Sequence, residues 1–414
     1  MLDLRFIHAS DFHLEQPLYG MAEAPDHLRE LLVDAPYRAA AAAFEAAMTE
    51  NVDFIILSGD IVHVEGAGPR AISFLIEQFS RLNEAGISVY WVGGQVDAPD
   101  RWPSAIALPP NVHLFSSHEV EELVHYRGEE PAASISGQSW HADRKFRPTD
   151  FKPEHPNLFN IVAYYGRAET DGLSKMPIHY WALGGRHDRK KLAIAPRTAY
   201  YPGTHQGRSP AEDGPHGCLL VQTDRTGQIR IKNIPVDVIR WRIEKITLDP
   251  RANLADARRL IRQRLQSVLS DAGGAAHLFC FELEGGAWLG SQAREGSTVD
   301  QLVAELRSEY GHRSPAAWTV AVEMAAPAGF PSAWYEEDTI MGDFLRAVHE
   351  LQQPGAEMPE LESLLDMEGE AAALTSAVMV TDAATQQRIL REAAALAVEM
   401  LGGGSREEET SASS

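Results

Sequence analysis

The chain has 414 residues, 44% of them hydrophobic, and a net charge of −22. That is apolar content enough for a large core, and the length predicts two or three domains. The charge excludes a protein coated in basic residues for nucleic acid, and the absence of any run of about 18 apolar residues excludes a membrane span. The first residues run straight into an apolar segment, without the basic start and small-residue cleavage site of a signal peptide, so a cytoplasmic protein is expected. Cys218 and Cys280 lie far apart without metal-site spacing and read as free thiols of a reducing compartment. The charge is uneven. Residues 251–414 carry 12 Lys and Arg against 26 Asp and Glu, a balance of −14, whereas residues 139–197 carry 11 basic and 6 acidic residues, a balance of +5. A polyanion would meet the second region first; a plain solvated basic face is the other reading.

In chain order, residues 2–10 form a first strand, and 28–50, rich in Ala with Leu, Phe and Met at helical spacing, form a helix. Residues 52–57 are a buried strand ending in Ser58-Gly59-Asp60. Residues 70–85 are a second helix with Ile72, Leu75, Ile76, Phe79 and Leu82 on one face. Residues 87–92 are a third strand, ending in Gly93-Gly94-Gln95-Val96-Asp97. This alternation predicts a parallel sheet with right-handed crossovers. Strands at 112–115, 120–126, 132–137, 158–165, 180–183, 192–195, 199–201, 217–223, 229–234 and 240–247 follow and read as mixed or antiparallel sheet. Near residue 250 the texture changes. A helix (251–271), a strand (277–284), a helix (298–310) and a strand (317–325) predict a small α+β domain, followed by a linker at 327–335. Helices read at 338–352, 359–367 and 383–401, and the polar Gly/Ser-rich tail 402–414 reads as disordered.

The chemistry collects where strands end. Asp11 and His13, two apart in an extended segment, point the same way and can grip one metal ion. Asp60, Asp97, Tyr165 and His187 follow at later strand ends, where ligand-binding groups of α/β sheets gather. Cations such as Mn²⁺ favour this mix of carboxylate and imidazole. The series resembles the calcineurin-like metallophosphoesterase pattern D-x-H, G-D, G-N-H-D, H, G-H-x-H. The flanking words Phe6–Leu14, Tyr180–Gly184, Tyr201–Arg208 and Gly214–Val221 resemble the SbcD/YhaO-type DNA repair exonucleases, over about residues 2–245. The resemblance implies a four-layer α/β/β/α sandwich of two mixed sheets in a nuclease-like domain at 1–250. It also implies an α+β cap at 251–330 and C-terminal helices at 336–401.

Carried over residue by residue, the resemblance divides. It implies that Asp11, His13, Asp60 and His187 hold a first ion, and all four are present. For a second ion the family's Asn is Gln95, whose amide oxygen can still serve as a ligand. The two further imidazoles are replaced by Tyr165 and Gly185. The family's His near the leaving group is Val96, and Asp97, which would orient it, is retained. Loss of such a His costs about 10²–10⁴-fold, so a site holding one Mn²⁺ or none, with weakened or lost hydrolysis, is expected. Arg186, Arg189, Lys190 and His205, with Arg144 and Lys145 upstream, read either as phosphate contacts or as solvated and turn residues. The resemblance further implies DNA as substrate, a homodimer, and docking of the C-terminal helices on a coiled-coil ATPase. Leu345, Val348, Leu351, Ile389, Leu390, Ala394, Leu396 and Leu401 give those helices apolar faces, which pack either on the partner or on their own domain. Three readings stand: a repair phosphodiesterase with an altered site, a silent DNA- or partner-binding scaffold, and a single-metal phosphoesterase for a small substrate.

Overall fold

The computed structural model describes residues 2–143, 147–194, 197–249, 252–270, 273–284, 297–324, 330, 332–353, 389–391, 393–394 and 397–398. The helix predicted at 359–367, most of that at 383–401, the tail 402–414, and Arg144 and Lys145 lie outside them.

A first six-stranded sheet takes the order β12-β11-β1-β2-β3-β4. Its strands are β1 (Leu4–Ala9), β2 (Phe54–Ser58), β3 (Ser88–Val92), β4 (Val112–Leu114), β11 (Gly217–Thr223) and β12 (Ile229–Pro235). β1 to β4 are parallel, as the crossovers α1 (Asp26–Thr49) and α2 (Pro69–Glu84) require. Strand alternation then sorts the side chains. Ile7, Ala9, Ile55, Leu57, Val89 and Trp91 face one way, into a cluster with Ala39, Ala43 and Phe44 of α1 and Leu75, Phe79 and Leu82 of α2. The small alanines let α1 lie close on the sheet. Phe6, Phe54, Ile56, Tyr90 and Val92 face the other way, into a core shared with Ile135, Ile161, Ala163, Tyr180 and Ala182 of a second sheet.

That second sheet takes the order β5-β6-β7-β8-β10-β9. It comprises β5 (Glu121–Arg127), β6 (Glu130–Gln138), β7 (Phe159–Tyr165), β8 (Tyr180–Gly184), β9 (Lys190–Ile194) and β10 (Arg197–Tyr201). β6, β7, β8 and β10 are parallel, and the edge strands pair antiparallel. Its outer face, Val162, Trp181, Leu183, Ala199 and Tyr201, is covered by Phe151, Met176, Ile178 and Leu173. Leu173 sits on a five-residue helix, α3 (Thr170–Ser174), too short to leave a periodic signal in the sequence. Two mixed sheets face each other between outer helical layers, the expected sandwich.

Three strands depart from the simple chain-order reading. β11 and β12 return to the first sheet, with β11 antiparallel to β1, Phe6 opposite Val221. β13 (Ile239–Thr247) leaves both sheets for a third, of order β13-β14-β15, in which it pairs with β14 (Ala276–Glu284) and β14 with β15 (Ala317–Met324). The apolar face that directs it there is Ile239 and Trp241, which pack with Leu28, Leu32 and Ala35 of α1 and with Leu278. The remaining helices are α4 (Leu254–Ser270), α5 (Ser297–Tyr310), α6 (Ser332–Glu336) and α7 (Ile340–Leu351). Thr339 caps α7 by accepting from Gly342 N–H at 3.1 Å, and Leu345, Val348, Leu390 and Ala394 are buried.

The chain divides into two compact units. One is Met1–Glu244 with Leu265–Cys280 and Val303–Ala321; the other is Lys245–Arg264 with Phe281–Leu302 and Val322–Ser414. Among the described residues no helix is long and apolar enough to cross a membrane.

Candidate metal centre

The loops after β1 and β2 run side by side. Asp11 N–H donates to Gly59 O (2.9 Å), His13 N–H to Asp60 O (3.0 Å) and Leu14 N–H to Ile61 O (3.2 Å). Three residues along them, Asp11, His13 and Asp60, have left-handed backbone, with φ of +56°, +44° and +54°. Each costs roughly 1–2 kcal/mol outside glycine, so the loop bonds hold a geometry that isolated residues would not choose. Such concentrated strain is characteristic of functional sites.

Asp11, His13 and His187 each present a ligand atom within 4.8 Å of the others. Asp11 is fully buried. Its Oδ2 accepts from Gly185 N–H (3.1 Å) and from the Ser10 hydroxyl. Its Oδ1 and both ring nitrogens of buried His13 have no hydrogen-bond partner. An unsatisfied buried acceptor costs about 1–3 kcal/mol, and here several converge with a third donor atom, His187. The chemistry of the set, one carboxylate and two imidazoles, fits a divalent transition-metal ion. Burial, with the charge of Asp60, pushes the Asp11 carboxyl up to about 7. Burial, with the Arg208 charge, drives His13 down to about 3, leaving a neutral imidazole, which is the ligand form. His13 Nε2 lies 3.8 Å from Asp60 Oδ2; with the ring neutral this is proximity, not an ion pair.

Asp60 is held differently. Its Oδ1 accepts from Val96 N–H (3.2 Å) and its Oδ2 from the Tyr165 hydroxyl (2.6 Å). The Tyr165 ring lies among three glycines. A Cβ built on Gly59 would stand 2.5 Å from its Cδ2, one on Gly94 2.8 Å from its Cε2, and one on Gly185 3.1 Å from its Cε2. The phenol therefore fills the space among Gly59, Gly94 and Gly185. Burial and the neighbouring Asp60 raise the Tyr165 phenol well above its ordinary value, so the O–H stays intact. Val96 is half-buried and offers only its N–H, and the Gln95 side chain is exposed.

Asp97 is a brace. Its Oδ1 accepts from Asp60 N–H (3.0 Å) and Gly94 N–H, and its Oδ2 from Ile61 N–H (2.8 Å) and the Trp91 indole (3.1 Å). Burial and the Asp60 charge push its carboxyl up to about 7 against these four donors. With its acceptors filled by loop amides, it ties the ends of β2 and β3 together and does not await a histidine.

His205 is corrected by the structure. It is buried, its Nε2 lies 2.7 Å from Pro36 O, and its ring rests on Phe12 with centroids 4.3 Å apart. It is a core histidine, not a substrate contact. Arg186 pairs with Asp188 at 2.8 Å, whereas Arg189 on the same loop and Lys190, the first residue of β9, are exposed.

Sequence reasoning missed Arg208 and Glu212. Glu212 Oε1 lies 2.7 Å from His187 Nδ1. The Arg208 side chain, 2% exposed, reaches Gln16 Oε1 at 2.6 Å and the His187 ring. Burial raises the Glu212 carboxyl, but the His187 hydrogen bond and the Arg208 charge outweigh it and hold it at about 2. The loop between β10 and β11 that carries both residues brackets the ligand loops. Thr204 Oγ1 donates to Asp11 O (2.8 Å), and Thr204 N–H donates to His187 O (2.9 Å). Gly203, at φ +80°, lies so close that a Cβ would stand 2.7 Å from His187 O. The available signal was the polar run from Thr204 to Glu212, with Gly207 within it and Gly203 just before it, between two strands.

Residues 4–184 match the family model described as calcineurin-like phosphoesterase. The uncharacterized metallophosphoesterase YhaO of Bacillus subtilis is 27% identical over 337 residues, covering 78% of this chain and 82% of that protein. The DNA double-strand break repair protein Mre11 of Sulfurisphaera tokodaii is 26% identical over 210 residues, covering 47% of this chain. The match spans about half of that relative's length, 51%. Among solved structures, a dimetal phosphatase from Danio rerio aligns with 56% of this chain and 96% of its own, at 8% identity and a TM-score of 0.37.

Proposed function

We propose that residues 4–184, which match the calcineurin-like phosphoesterase family and resemble YhaO and Mre11, form a metal-dependent phosphoesterase domain that holds one divalent ion in place of two. Asp11, His13, Asp60 and His187 are its ligands, and Mn²⁺ is the ion that the family resemblance suggests. The observation that carries this reading is Tyr165, whose ring fills the room among Gly59, Gly94 and Gly185 and whose hydroxyl takes Asp60 Oδ2.

A divalent ion supplies Lewis-acid stabilisation of the charge that develops on a phosphoryl group. The side chains divide the remaining work. Asp11 and His13 offer unpartnered donor atoms, and Asp97 fixes the loop that carries Asp60. Tyr165 keeps its proton and donates it in a hydrogen bond to Asp60, and the Val96 side chain has no proton for a leaving group. Hydrolysis is therefore slow, by at least the roughly 10²-fold that an absent general acid costs. Gln95, with its exposed side chain, contributes no second-ion ligand in this reading.

The substrate class is a phosphodiester of DNA, in keeping with the repair role in the Mre11 name and with exposed Arg189 and Lys190 beside His187. The cap at 251–330, a homodimer, and docking of the C-terminal helices on a coiled-coil ATPase belong to the same reading. A non-hydrolysing scaffold on this fold is the alternative that the closed Tyr165 position favours.

The deciding experiment is elemental analysis of Mn²⁺ per chain after equilibrium dialysis, with hydrolysis of a generic phosphodiester assayed on the same sample. One ion with slow turnover is expected. Two ions with rapid turnover would overturn the reading, and one ion with no turnover would select the scaffold.

A further inference from the structure

Resting on the one-ion reading, we infer that Glu212 is the positioning residue for His187: its carboxylate accepts a hydrogen bond from Nδ1–H and so presents Nε2 as the ligand nitrogen. The argument follows from which ring states the neighbours accept. Glu212 Oε1 lies 2.7 Å from Nδ1, and a carboxylate is an acceptor only. Arg208 Nη2 lies 3.0 Å from Nδ1 and 3.2 Å from Nε2, and a guanidinium is a donor only. Arg208 lies near both ring nitrogens and does not separate the two tautomers, so the Glu212 contact decides. A ring protonated at Nε2 would set the Nδ1 lone pair against the carboxylate. With the proton on Nδ1 the ring satisfies Glu212 and keeps its Nε2 lone pair for an ion.

Glu212 is itself held in place. Its Oε2 accepts from Arg208 N–H (2.7 Å), its N–H donates to Ser209 O (2.9 Å), and its carbonyl lies 3.0 Å from His216 Nε2. A Cβ on Gly207 would stand 2.7 Å from Glu212 O, so the loop closes on this residue with no room to spare. A carboxylate that orients a ligating histidine is typically worth 10–100-fold in metal affinity.

The test has two readouts. In metal-free protein, ¹⁵N NMR of the histidine rings, with His187 assigned from the H187Q spectrum, reports the tautomer directly. The wild type is expected to carry its proton on Nδ1. E212A should move it toward Nε2, and E212Q should keep it, because the amide oxygen still accepts. Calorimetry with Mn²⁺ should then show E212A weakened about 10–100-fold, with E212Q restoring most of the loss. An Nε2–H tautomer in the wild type would overturn the inference. So would E212A with unchanged tautomer and affinity. The first measurement needs no change at Glu212, so it stands even if E212A fails to fold. A wild type with Nδ1–H that binds no ion would sink the one-ion reading and leave the tautomer assignment intact.

Discussion

The two halves of the candidate site use neighbouring loops for opposite ends. Around Asp11 and His13, donor atoms are left bare in a buried place, with a ligand atom of half-buried His187 within reach. Around Asp60, Tyr165 and Gly185, each carboxylate oxygen already accepts one hydrogen bond, which leaves Asp60 lone pairs for the ion, and glycines make room for a ring. One half is built around something still to come, and in the other a packed ring takes up the space. Replaced ligands alone do not close a metal position, since water can fill a gap. A phenol locked by its hydrogen bond and by three glycines does, because an ion would have to displace a packed side chain.

That contrast can be broken by opening the closed half. The triple variant Q95N/V96H/Y165H removes the ring and returns an amide, an imidazole and a general acid. We expect a second Mn²⁺ per chain by elemental analysis and phosphodiester turnover raised about 10²-fold or more. Adding G185H should give little further gain. Position 185 has φ +89°, and a Cβ there stands 3.3 Å from Gly166 N even with the Tyr165 ring removed. A triple variant that still binds one ion would mean that something other than Tyr165 closes the position.

The closed half can also be probed for tightness. Ala at Gly94 would put a Cβ 2.4 Å from Asp60 Oδ1, 2.7 Å from Asp60 N and 2.8 Å from the Tyr165 ring. G94A should lower the stability measured by urea denaturation by about 1–3 kcal/mol. The variant should regain part of that loss when Tyr165 is changed to a smaller residue. Full stability in G94A would show that the ring is loosely held.

The open half predicts the smallest effect, a pH dependence. Glu212 is held at about 2, below its ordinary 4.5. A depressed carboxyl contributes stability that is fully present above its unfolded-state value and is lost as pH falls through 4.5 toward 2. The denaturation midpoint should therefore fall across that window, and E212Q should fall less steeply. Equal slopes would mean that the Glu212 contacts carry no net stability.

Much of the fold was legible before any coordinates. The first three strands and two helices follow from short apolar runs alternating with helical periodicity, and these govern the backbone locally. Asp11, His13, Asp60 and His187 were legible as polar residues directly after apolar strands, where the chain must leave the core. The resemblance to a family ordered them into one site. Other features could not be read this way. β11 returns across more than two hundred residues to pair with β1, and β13 leaves for a third sheet, because pairing depends on faces that meet only in three dimensions.

What the sequence by itself determined, then, is local: which segments are strands and helices, and which residue types stand at their ends. Tertiary structure alone decided what those residues do. It made His205 a core group under Phe12 and Asp97 a brace saturated by four N–H donors. It turned Tyr165 from a missing histidine into the residue that fills the space, and brought Glu212 from 25 positions away onto His187. The physical reason is that a side chain's chemistry is set by which donors, acceptors and charges surround it once water is excluded, and that company is assembled only when distant loops close on one another.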